Sequence, residues 1–92
     1  MMSDDEIKEA FRPAFEDLAR RSRRGEDLEV VYSPDGEFSV EERYSEEGYV
    51  VYIPDHFEIY ADYLGRRGGM ERAFEEFWRI EGASIIQEVN AF

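Results

Sequence analysis

Ile7, Ala10, Phe11, Ala14, Phe15 and Leu18 recur at three- and four-residue spacing and mark one face of an amphipathic helix. Ser3 followed by Asp4, Asp5 and Glu6 supplies a capping hydroxyl and then acids suited to a helix N-terminus. Pro13 falls inside the stripe and removes a backbone donor, so a kink or break is expected there. The helix should end near Arg24, before Gly25.

The period then changes to two. Leu28, Val30 and Tyr32 make one apolar set, and Phe38, Val40 and Tyr44 make a second, with Glu37, Ser39, Glu41 and Arg43 on the opposite face. Glu42 sits on the apolar parity, as an edge position or bulge would allow. Ser33-Pro34-Asp35-Gly36 and Ser45-Glu46-Glu47-Gly48 read as turns, and Tyr49 to Ile53 reads as a third strand. A three-stranded antiparallel meander is predicted. Val31, Val50 and Tyr52 point away from its main apolar set, so the second sheet face is either covered or part of an interface.

Pro54 ends the third strand, and Asp55 with Glu58 forms a capping-box pattern. Phe57, Tyr60, Ala61 and Leu64 then predict a short helix closed by Gly65. After Gly68-Gly69, the stripe Met70, Ala73, Phe74, Phe77 and Trp78 predicts a long C-terminal helix. Residues 83–92 suit two forms: Ile85, Val89 and Phe92 extend the helical stripe, and Ile85-Ile86 with Val89 suit a fourth strand. Helix is preferred. The whole is an α+β fold, one compact domain over residues 1–92, with helices on one face of the sheet.

Composition adds a charge pattern. The chain has 92 residues and a net charge of −12, with 42% hydrophobic residues and 15% aromatics, enough to build a core rather than an acidic disordered tail. Residues 25–62 hold twelve carboxylates and a single base, Arg43; the first 24 residues carry six acids against six bases, and residues 63–92 five against four. The excess is therefore local. Absence of cysteine excludes a disulfide scaffold and thiolate metal sites. The acidic N-terminus has no apolar signal core, and no apolar run approaches the ~20 residues of a membrane span, so a cytoplasmic protein is expected.

Outward side chains repeat about every 6.7 Å along a strand, and strands lie ~4.8 Å apart. Glu29, Glu37 and Glu41 on the outer sheet face, with Glu26, Asp27, Asp35, Glu46 and Glu47 at its ends, would form a dense anionic surface. Asp55 and Glu58 would lie nearby, and Tyr52 and Tyr63 are the tyrosines best placed to anchor an interface. Duplex DNA carries one charge per ~1.7 Å of axis and is gripped by Lys/Arg grooves. A rigid acidic surface could fill such a groove.

In size, order of elements and acidic turns (Ser33 to Gly36, Ser45 to Gly48), the chain resembles small phage-encoded anti-CRISPR proteins that mimic DNA. It is similar in size to nuclease inhibitors and antitoxins as well. The likeness is one of organisation, without a shared motif. It implies that the sheet carboxylates block a basic channel of a nucleic-acid enzyme.

Arg20-Arg21-Ser22-Arg23-Arg24 and Arg66-Arg67 fall at helix C-termini, where cations are favourable; some of them could pair with sheet carboxylates. His56, the only histidine, stands in the first turn of the short helix beside Asp55 and Glu58, without the ligand spacing of a metal site. Gly65-Arg66-Arg67-Gly68-Gly69 lacks the strand and Lys-Ser/Thr of a phosphate loop. No catalytic, cofactor or metal motif is present. The sequence thus points to a non-enzymatic inhibitor with no cofactor, whose partner is a protein with a basic groove. Direct nucleic-acid or membrane binding is not expected, and the chain could be monomer or homodimer. The alternative is a salt-adapted soluble domain, or one that pairs through Val31, Val50 and Tyr52.

Overall fold

The computed structural model describes residues 2–22, 25–60 and 69–92. Helix α1 spans Asp4–Arg21. Ser3 Oγ accepts the Glu6 N–H at 3.2 Å and the Glu6 carboxylate accepts the Ser3 N–H at 2.9 Å, closing the capping box. These bonds hold the Glu6 carboxyl below its ordinary pKa. Pro13 does not break the helix. It is exposed, so the Glu9 carbonyl left without its helical donor faces water.

Three antiparallel strands follow: β1 (Leu28–Tyr32), β2 (Phe38–Glu42) and β3 (Tyr49–Tyr52). Their order in the sheet is β2-β1-β3, not the sequential order of a meander. The physical reason lies in β1, which is buried at all five positions, as a central strand should be. Sequential order would instead put β2, with Glu41 and Glu42, in the centre.

This order has a consequence for the connection. β2 ends with Glu42 opposite Leu28, and β3 begins with Tyr49 opposite Tyr32. Residues 43–48 must therefore run back along the length of β1. They do so over the outer face of the sheet, the face turned away from the helices: a Cβ on Gly48 would lie 3.3 Å from the Val31 side chain. Gly48 has φ +80° and Val31 is only 4% exposed. The face expected to be free at Val31 is closed by the chain itself.

β3 pairs Val50 with Val31 and Tyr52 with Val30, leaving Val51 as an extra residue. The bulge reverses the parity predicted for Tyr52. Its ring lies 5.1 Å from Phe77 and 6.3 Å from Phe11, on the core side.

Phe57 and Tyr60 are buried where a helical turn begins, at residues 58–60; Ala61 and Leu64 of the expected short helix lie outside the described residues. Helix α2 spans Gly69–Ala91, so residues 83–91 continue the helix, with Ile85 and Val89 buried. Gly82 is required inside it, since a Cβ there would meet the Trp78 indole at 2.8 Å. Phe77 occupies the middle of the core, with ring centroids of Phe15, Tyr60 and Phe11 at 5.0, 5.1 and 5.6 Å.

Candidate interaction surface

The outer face is organised around one buried carboxylate. Glu29 stands opposite Glu41 across the β1–β2 ladder, a repulsive placement for two exposed acids. Glu29 is only 4% exposed. Its carboxylate accepts the Tyr44 N–H at 3.1 Å and the Ser45 hydroxyl at 3.3 Å, and Arg43 Nε lies 3.9 Å away. Glu29 therefore fastens the crossing segment to the sheet and does not present charge to a partner. This corrects its assignment as a partner-binding residue.

The crossing carries strain at its two exposed corners. Tyr44 and Glu46 have φ of +66° and +61°. Tyr44, expected on the apolar face, is instead 80% exposed. The Arg43 guanidinium sits 4.7 Å from its ring centroid and donates to its hydroxyl at 3.1 Å. Nothing in the alternating pattern announced this, because the parity of β2 ends at Glu42, where the strand does.

Glu41 lies on the outer face of β2, and exposed Glu46 and Glu47 belong to the segment that crosses β1 on that side. Glu41 accepts the Ser39 hydroxyl at 3.1 Å. Glu37 shares the outer parity of Glu41, and exposed Asp35, bonded to the Ser33 hydroxyl, extends the band at the β1–β2 turn. Asp55 and Glu58 are exposed but stand past the far end of β3, apart from that band. Tyr52 is half-buried, its ring on the core side, and burial pushes its hydroxyl pKa well up. Tyr63 lies outside the described residues.

Ion pairing leaves acids unmatched in both layers. On the helices, Glu9 pairs with Arg12, Asp17 with Arg20 and Arg21, Glu75 with Lys8, and Glu76 with Arg79. The Arg12 and Arg79 bonds hold the Glu9 and Glu76 carboxyls below their ordinary pKa. In the sheet layer, Glu26 pairs with Arg21 and buried Glu29 has Arg43 nearby. In that layer Asp27, Asp35, Glu37, Glu41, Glu42, Glu46, Glu47 and Asp55 have no cationic partner among the described residues, and on the helices Asp4, Asp5, Glu6, Glu16, Glu71, Glu81 and Glu88 have none either. Asp27 and Glu42, the latter absent from the sequence-derived patch, flank Arg43 and Tyr44 around a shallow depression.

Exposed His56 lies 3.9 Å from the Glu58 carboxylate. Among the described residues no three His, Asp or Glu side chains converge as metal ligands, and no helix is long and apolar enough to cross a membrane. No protein-family model, curated protein or solved structure matches the chain.

Proposed function

We propose that this protein is a small inhibitor that sets the carboxylates of its sheet layer into the basic nucleic-acid site of a larger enzyme. One observation carries the reading: Glu37, Glu41, Glu46 and Glu47, on the outer sheet face and the segment that crosses it, have no cation of their own among the described residues, and Arg43 is the single base in residues 25–62. A carboxylate without an internal partner is available to a lysine or arginine of another protein.

The scale of the surface fits the role. β1 is five residues long. With a turn at each end the acidic band covers ~25 Å, so its seven unpaired charges, Asp55 lying apart, give one per ~3.6 Å, close to the ~3.4 Å spacing of one DNA strand. The band is stiff, because Glu29 and Gly48 fix the crossing segment against β1. Rigidity lowers the ordering cost of association. Inhibition would be steric and electrostatic, with association that slows as salt rises.

The test is a triple charge reversal, Glu41→Lys with Glu46→Lys and Glu47→Lys. None of these side chains bonds across elements, so the circular dichroism spectrum should not change. The dissociation constant for the target enzyme should rise at least a hundredfold. Equal inhibition by the folded triple variant would refute the assignment.

A further inference from the structure

The two edges of the sheet are finished differently. On β2, the outward carbonyl of Val40 accepts Arg21 Nη1 at 3.0 Å, and Arg21 is itself held by Glu26 at 3.2 Å. On β3, no described residue pairs with the outer edge. The ladder specifies which groups are left open there. Ser33 N–H donates to Glu37 C=O and Arg43 N–H to Asp27 C=O, so the odd-numbered positions of β1 face β2. Val30 and Tyr32 then face β3 and bond Tyr52 and Tyr49, while Val31 and Val50 form the non-bonded pair. The N–H and C=O of Val50 therefore point away from the sheet.

That edge opens on a groove between β3 and α2, lined by Val50, Ile53, Asp55, Glu81, Ser84 and Glu88. Glu81 and Glu88 accept the hydroxyls of Tyr60 and Tyr49, each at 2.9 Å, and make no ion pair among the described residues. Val50 and Ile53 are 36% and 39% exposed. A second copy paired edge to edge would set these carboxylates against their own duplicates. A cationic strand would neutralise them.

We infer that the outer edge of β3 receives an extended segment of the partner protein as a fourth strand, with basic side chains toward α2 and apolar ones beside Val50 and Ile53. Main-chain bonds at Val50 would supply affinity, and Asp55, Glu81 and Glu88 would select lysine or arginine at alternate positions. The inference rests on the proposed reading of a protein partner with a basic surface, and it adds the form of the segment that is gripped.

The probe is an end-capped decapeptide of alternating lysine and valine, titrated into the whole protein while amide hydrogen exchange is followed. One-to-one binding should slow exchange at Val50 at least tenfold, and a glutamate-valine peptide should do nothing. Ser84→Lys, an exposed helix position with no bond of its own, should weaken binding at least tenfold with an unchanged circular dichroism spectrum. Val50→Pro, which removes the outward donor and spares the β1 ladder, should abolish it. Absence of Val50 protection at millimolar peptide, or protection caused by self-association without peptide, would overturn the inference. The peptide assay needs no target enzyme, so it can fail while the triple charge reversal still abolishes inhibition, and the reverse also holds.

Discussion

Glu29 is the residue whose removal should be felt most widely on the outer face. It is a buried acid that satisfies the Tyr44 N–H and the Ser45 hydroxyl and offsets Arg43. Glu29→Ala would leave those groups without their acceptor, at a cost of about 2–4 kcal/mol. Urea unfolding should register this as a lower midpoint, with a smaller fall for Glu29→Gln, which keeps an acceptor oxygen. An unchanged midpoint for Glu29→Ala would mean that the crossing segment is held by other contacts. From sequence, Glu29 was one acid among twelve. Its parity placed it correctly on the outer face, but alternation does not reveal what lies over a face.

The elements themselves were largely written in the pattern. Both long helices followed their stripes, and the apolar residues Ile85 and Val89 carried α2 through residues 83–91 of the ambiguous stretch. The capping box at Ser3 formed as its residues require. What the pattern could not give was strand adjacency, because a period of two specifies faces and not neighbours. Ser45-Glu46-Glu47-Gly48 has the residues of a hairpin turn, yet it is the last part of a crossing over β1. A single extra residue at Val51 was enough to move Tyr52 from the outer side to the core.

β3 and the helical turn after it have an alkaline signature. Burial raises the pKa of Tyr52; burial and the bond to Glu81 raise that of Tyr60; the bond to Glu88 raises that of Tyr49. Each hydroxyl holds its proton more tightly folded than unfolded. Their contribution is complete below the ordinary tyrosine value of ~10 and declines as pH rises past it. The urea midpoint should stay flat from neutrality to about pH 9 and fall above about pH 10, together with the appearance of tyrosinate absorbance. Tyr52→Phe should make the alkaline fall shallower. Early ionisation of these tyrosines in an intact fold would contradict their placement.

At the scale of the whole molecule, a net charge of −12 opposes compaction. The aromatic core around Phe77 is what resists it. Salt should therefore raise the melting temperature, most steeply below ~0.15 M, where the screening length falls to about 8 Å. The protein should nevertheless be folded at that ionic strength. A requirement for molar salt would support the alternative of a salt-adapted domain.

The most direct measurement of the central claim is a competition. The immobilised protein and its Glu41→Lys, Glu46→Lys, Glu47→Lys variant are exposed to a lysate of the protein's own cells, and bound proteins are eluted with duplex DNA. The account predicts a nucleic-acid enzyme that is captured by the native surface, displaced by DNA and lost on charge reversal. Capture that resists DNA and survives the reversal would contradict it.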